Sequence, residues 1–359
     1  MKHRTSNIEH PTSKCPFRLA FRSVFGVPCS VFDVVRRQAV AVVLILAFVF
    51  MASAADTNNV FLFSFFREPN GQAGLFLTAS TNGLNWTELK APDGKSFLEP
   101  QVGGKLMRDP CLRLGPDGVF RMVWTTSWGR PTVFGYASST DLVHWSEERA
   151  VPVMENDPTA ANVWAPELFY DTAKGQWLVF WATTVPGKFP ATENSGDQSQ
   201  GIRYNHRIYY VTTKDFTNFS PTKLLYDGGF NVIDATMLAD GGRYYLIVKD
   251  ETKNPVKKNL RIAVGDSAEG PFDPASPAIS TNWVEGPTAI KIGGENFIYF
   301  DHYTSPRYYG AIKSADMKTW QDISPTVTFP TGIRHGTVLA VPESVVQQIQ
   351  NPDNQKTPK

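Results

Sequence analysis

The strongest constraint on this 359-residue chain is a pattern that recurs five times. A short apolar strand, a loop, a second strand of alternating character and a turn closed by an aromatic residue follow one another in each copy. The first strands lie at residues 60–66, 120–126, 177–183, 244–249 and 297–303, and the second at 74–80, 133–139, 207–213, 260–265 and 309–314. The closing segments STNGLNW, STDLVHW, TKDFTNF, SAEGPF and SADMKTW end at Trp86, Trp145, Phe219, Phe272 and Trp320. Units of about 50 residues holding several short strands are the sequence form of propeller blades. One blade cannot bury both faces of its sheet, so neighbours must stack around an axis. The pattern therefore predicts an all-β fold, a five-bladed β-propeller, with the closing aromatics packed between blades. An α/β chain would need a series of amphipathic helices of ten or more residues, and only residues 344–350 read as helical.

Residues 1–55 are set apart from this repeat. An apolar run over 39–50 lies between Arg36-Arg37 and the small residues Ala52-Ser53-Ala54-Ala55, the layout of a secretory leader cleaved near Ala54 or Ala55. The run is shorter than the roughly 20 residues of a membrane span. It implies a secreted or periplasmic protein with no stable membrane span after cleavage. The basic region before it is unusually long, which points to an initiator downstream of Met1. Domain limits follow: leader 1–55, propeller 56–345, polar tail 346–359. Residues 1–54 hold seven Lys or Arg against two Asp or Glu, so removing them takes the formal net charge from +1 to −4. A mildly acidic chain lacks the basic footprint of nucleic-acid binding, and neutral partners fit better. Cys111 is the one cysteine beyond the leader, which leaves no disulfide and suits a small buried side chain.

Chemistry should gather where the innermost strands of all blades meet, just before each first recognised strand. Acids in apolar company occur there in MRDPCL (Asp109), VWAPELFY (Glu167), VIDATML (Asp234) and WVEGPTAI (Glu285), with His335 in RHGTVLAV. Such acids are costly to bury unless paired or used. Cleaving a glycosidic bond requires a protonated carboxyl beside the leaving oxygen and a carboxylate that activates water. Asp-Pro and Glu-Gly-Pro are also ordinary turn formers, so no single motif decides.

Together the RDP motif at 108–110, WAP at 164–166, IDAT at 233–236, EGP at 285–287 and HG at 335–336 resemble glycoside hydrolase family 43, five-bladed propellers acting on arabinosides, xylosides and some galactosides. The resemblance implies that Asp109 is the general base, Asp234 the carboxylate that orients the acid and raises its pKa, and Glu285 the general acid of an inverting reaction. His335 resembles an axial histidine found beside water or a bound calcium ion; no cofactor is required, and a structural Ca2+ is the one candidate. Trp164 resembles a sugar platform, with a core position as the alternative. His302 and Arg307, in FDHYTSPRYYG, are expected on the substrate face, and Glu167 in a structural role. The polar loop 186–203 lengthens the third unit and can shape the pocket. One departure is Asp-Ala-Thr at 234–236 where proline often follows the acid. A retaining fructosidase of the invertase-like clan fits poorly, because Arg67-Glu68-Pro69-Asn70-Gly71 replaces its Asn-Asp-Pro-Asn-Gly box.

The expected function is release of a terminal sugar from an oligo- or polysaccharide, α-L-arabinofuranose ahead of β-D-xylose and galactofuranose. The alternative from another class is a catalytically inactive carbohydrate-binding propeller. A WD-type interaction scaffold ranks third, lacking that repeat's Gly-His and Trp-Asp pairs.

Overall fold

A computed structural model describes residues 59–199 and 201–351; the 1–55 leader lies outside the described residues. Five antiparallel sheets follow in chain order. The first blade contains β1 (Asn59–Phe66), β2 (Phe76–Ser80) and β3 (Thr87–Leu89), and the second β4 (Arg108–Leu114), β5 (Phe120–Thr125), β6 (Val133–Ser139) and β7 (Arg149–Pro152). The third blade has β8 (Trp164–Asp171) and β9 (Gln176–Thr184), then a loop carrying the two-residue strands β10 (Gln198–Ser199) and β11 (Ile202–Arg203), then β12 (His206–Thr213) and β13 (Lys223–Tyr226). The fourth has β14 (Val232–Asp240), β15 (Arg243–Asp250) and β16 (Asn259–Gly265). The fifth has β17 (Val284–Ile292), β18 (Glu295–His302), β19 (Tyr308–Ser314) and β20 (Gln321–Asp322). The last strand, β21 (Arg334–Pro342), pairs with β1 from Asn59 opposite Pro342 to Phe66 opposite Arg334. It thereby supplies the innermost strand of the first blade and ties the two ends of the propeller together.

The first and second strands named from the sequence are the second and third strands of each blade, and the acid motifs open the innermost strands ahead of them. The five innermost strands β4, β8, β14, β17 and β21 touch their neighbours in a closed ring. Five hydrophobic clusters each join residues of two successive blades, the fifth closing back on the first. Trp86 is buried in the cluster between the fifth and first blades, and Trp145, Phe219, Phe272 and Trp320 pack against the next four in order. The closing aromatic therefore seals each blade against the one before it. In four of the five blades its turn is built alike: Asn82, Asp141, Asp215 and Asp316 each accept two backbone N–H bonds from the residues two and three further on.

The helix α1 (Glu343–Gln350) runs past the expected 345 boundary. Its Val346 and Ile349, three apart on one face, are buried in the cluster between the first two blades. Apolar spacing, not polarity of the flanking residues, decides where packing stops. Among the described residues no helix is long and apolar enough to cross a membrane.

Candidate active site

Each innermost strand begins with the same irregularity. Three residues after Arg108, Trp164, Ile233, Glu285 and Arg334 the register has advanced by only two on the partner strand, a β-bulge in every blade. Bulges re-aim side chains and are common beside active sites. Asp109, Ala165, Asp234, Gly286 and His335 then share one register position, and Arg108, Trp164, Ile233, Glu285 and Arg334 the one before it. The backbone is left-handed at Asp109 (φ 52°), Ala165 (φ 45°), Asp234 (φ 48°) and Gly286 (φ 58°), a conformation that Asp tolerates better than most residues. At Gly286 glycine is required for space as well, since a Cβ there would stand 2.4 Å from the His335 ring.

The bulges bring Asp109, Asp234, Glu285, Trp164 and His335, from five blades, to one cavity of about 240 Å3. Trp128, Tyr204 and His206 add aromatic wall, while Arg108, Thr125, Ile233, Glu251 and Asp197 complete it. Asp197 lies in the 186–203 loop, so that loop does reach the pocket. Trp164 lines the cavity with its indole N–H donating to the Trp128 carbonyl at 2.9 Å, fixed between Trp128, Tyr204 and His206. His302 and Arg307 are not part of this cavity. Arg307 borders a separate, larger one of about 1130 Å3 with Glu68, Asp301, Tyr308 and Arg334, and His302 stacks on Tyr308. Size alone would favour the larger cavity, but the carboxylates converge on the smaller. Glu167 sits three residues along β8 from Trp164, buried against Cys111, Arg113 and Thr337, a structural position.

The electrostatics separate the three carboxyls. Burial pushes Asp109 up, but the charge and hydrogen bond of His335, the charge of Arg108 and the Thr125 hydroxyl outweigh it and hold the carboxyl at about 2. His335 Nδ1 is 3.3 Å from Asp109 and 4.0 Å from Asp234. Burial alone would favour neutral imidazole, yet Asp109, Asp234 and Glu285 raise it to about 9. An imidazolium therefore lies between two carboxyls. Asp234 is raised to about 6 by burial, with Glu285 and Asp109 adding to the rise against His335 and Lys249; its Oδ2 accepts the Gly286 N–H at 3.1 Å.

Glu285 differs from expectation. Burial raises its pKa, but Lys249 and Arg334, each 3.1 Å from one carboxylate oxygen, together hold it below the ordinary value. At that distance each cation supplies about 5 kcal/mol at an effective dielectric of about 20, so two of them match a desolvation cost of several kcal/mol. The anticipated raising of Glu285 by Asp234 is thus overridden in the free protein, and Asp234 is the carboxyl that keeps its proton nearer neutrality.

Sequence reasoning passed over Arg334, Lys249 and His206. Arg334 stands next to His335 in the HG motif and binds Glu285, Asp301 and Glu68; an arginine embedded beside a motif histidine was a usable signal. Lys249 follows directly on the apolar run 244–248, another usable signal. His206 is buried, held by Asn231 Oδ1 at 3.2 Å from Nδ1, and burial depresses it to about 3. That partner accepts, so Nδ1 carries the proton, and the unpartnered Nε2 remains as an acceptor for a hydroxyl.

Among the described residues no group of three His, Cys, Asp or Glu side chains could hold a metal ion.

The sequence profile of a family described as a probable glycosyl hydrolase domain, related to family 43, matches residues 56–346. This chain belongs to that family. Over 268 residues it is 25% identical to an α-L-arabinofuranosidase of Bifidobacterium longum subsp. longum, a match covering 68% of this chain and 24% of the relative. The chain thus spans about a quarter of the length of that curated relative. Among solved structures, α-L-arabinofuranosidase from Lactobacillus brevis matches at 16% identity with a TM-score of 0.48, covering 66% of this chain and 76% of that one. An exo-β-1,3-galactanase from Clostridium thermocellum matches at 15% identity and 0.46, covering 66% and 50%.

Proposed function

We propose that this family member is an exported, inverting exo-glycosidase that releases a terminal neutral sugar, with α-L-arabinofuranose as the first candidate. One observation carries the reading: ionised Asp109, Asp234 and Glu285 come from three different blades to one small aromatic-walled cavity. Its volume of about 240 Å3 lies below the roughly 300–1,000 Å3 of pockets for drug-sized ligands, which suits one sugar ring and hence a chain end. The arabinofuranosidase relative supports the order of candidates, with β-D-xylose and galactofuranose behind.

In this mechanism Asp109, ionised and held by Thr125 and His335, removes a proton from the water that attacks the anomeric carbon. Glu285 delivers a proton to the departing oxygen, and the anomeric configuration inverts in the single displacement. The charge of Glu285 helps raise Asp234, so the titrations of the two carboxyls are linked. Below about pH 6, the value to which Asp234 is raised, the pair holds one proton that the donor can use. Above it that proton is lost, so activity should fall as pH rises through this value. A second reading is favoured by the same fact: Asp234, the more easily protonated carboxyl of the free protein, is itself the donor.

The test is sugar release from a panel of alkyl glycosides, whose leaving group needs a proton, at pH 5 and pH 8. The account expects release of one sugar, strongest among them the α-L-arabinofuranoside, and a marked decline at pH 8. Binding of the sugars without release at either pH would favour the inactive carbohydrate-binding propeller.

A further inference from the structure

A row of charges runs from the loop over the pocket to Glu285. Asp197, in the 186–203 loop, shares its two carboxylate oxygens between Lys253 and Lys258, the latter at 2.7 Å. Lys258 Nζ also binds Glu251 Oε1. The other oxygen of Glu251 forms an ion pair with Lys249 Nζ at 2.7 Å, without hydrogen-bond alignment. Lys249 Nζ then donates to Glu285 Oε2 at 3.1 Å. Signs alternate along the whole row, and Lys249 and Lys258 are 1% and 3% exposed, so neither can turn to water instead.

We propose that Lys249 and Glu251 are positioning residues that set whether Glu285 holds its proton, and that Lys258 and Asp197 relay the seating of the 186–203 loop to the same carboxyl. The inference rests on Glu285 being the proton donor of the proposed hydrolysis. Lys249 is one ammonium divided between two carboxylates, so what Glu251 takes Glu285 loses. The other groups facing Glu285 are Arg334 and His335 of β21, Asp301 opposite it on β18, Asp234 of β14 and, beyond β18, Tyr303. Arg334 is already tied to Asp301 and Glu68, which makes its pull on Glu285 constant. The pull of Lys249 is adjustable through Glu251. With the loop seated, Asp197 occupies Lys258, Glu251 is free to draw Lys249, and Glu285 keeps its proton more readily. With Asp197 withdrawn, Lys258 neutralises Glu251, Lys249 turns to Glu285, and the proton leaves. A sugar enclosed by the loop would then meet a donor that holds its proton more readily than in an open pocket.

The experiment follows the Glu285 carboxyl by 13C NMR in full-length protein labelled at glutamate Cδ, with its resonance assigned by loss in Glu285→Gln. Glu251→Gln should lower the titration midpoint of Glu285, and Asp197→Asn should lower it less. Lys249→Met should raise it by about one pH unit or more, the scale of an opposite charge within about 4–6 Å. Lys249→Arg, which keeps the charge, should stay near the wild-type midpoint. A midpoint that rises or stays in Glu251→Gln or Asp197→Asn, or that falls or stays in Lys249→Met, would overturn the proposal, because loosened packing has no reason to follow the sign of the removed charge. If Lys249→Met does not fold, Glu251→Gln and Asp197→Asn still decide it. The readout is ionisation, not hydrolysis: absence of sugar release would sink the proposed function while leaving these midpoints to judge the charge row.

Discussion

Asp109→Asn should cut kcat/KM by about 10²–10⁴-fold, the usual worth of a positioned acid or base, and should do so on every glycoside regardless of its leaving group. Water must be activated whatever departs. The substitution is nearly isosteric, and the Asn carbonyl can still accept the Thr125 hydroxyl that Asp109 Oδ2 now takes at 2.7 Å. What disappears is the negative charge that receives the proton and that pairs with His335 at 3.3 Å. With one carboxylate fewer beside it, His335 should titrate lower than its present value of about 9, and Asp234 should lose one of the charges that raise it. The measurement is kcat/KM on an alkyl and an activated aryl glycoside, and unequal losses on the two would show that Asp109 does not act on the water.

Glu285→Gln should give the opposite pattern, a loss of about 10²–10⁴-fold on an alkyl glycoside or natural oligosaccharide and a much smaller one on an activated aryl glycoside, whose leaving group departs without a proton. Deleting one partner of a buried ion pair often costs about 3–5 kcal/mol. Here the two cations keep other partners, Arg334 with Asp301 and Glu68, Lys249 with Glu251, so the fold should survive. Asp234→Asn provides the comparison. If it, and not Glu285→Gln, shows the dependence on leaving group, Asp234 is the donor and the roles exchange.

The blades were legible because each repeats local rules: apolar strand, tight turn and closing aromatic, with an Asp or Asn accepting the turn's backbone N–H groups in four of the five. Those rules act within a few residues, and Trp86 or Trp145 can be found by spacing alone. The acids were legible for a related reason, since Asp109, Asp234 and Glu285 stand among core-type neighbours that an unused carboxylate would not choose. What spacing could not supply is register. Asp109, Asp234 and His335 share one position in the bulge, whereas Glu285 stands one residue earlier with Arg334 and Trp164, an offset visible only once the bulges are paired. The charge state of Glu285 was hidden for the same reason, because its cations come from strands 36 and 49 residues away. His302 and Arg307, expected on the substrate face, instead lie at the end of the second strand of their blade and in the loop after it, where Arg307 borders the larger cavity.

The central claim, direct displacement by a water that Asp109 activates, is tested most directly by the anomeric form of the sugar as it first leaves the enzyme. Proton NMR recorded in the opening minutes of hydrolysis, before mutarotation, should show the configuration opposite to that of the substrate. First-formed sugar with the substrate's own configuration would mean a covalent intermediate and a nucleophilic carboxylate, and would contradict the assignment of Asp109 as base.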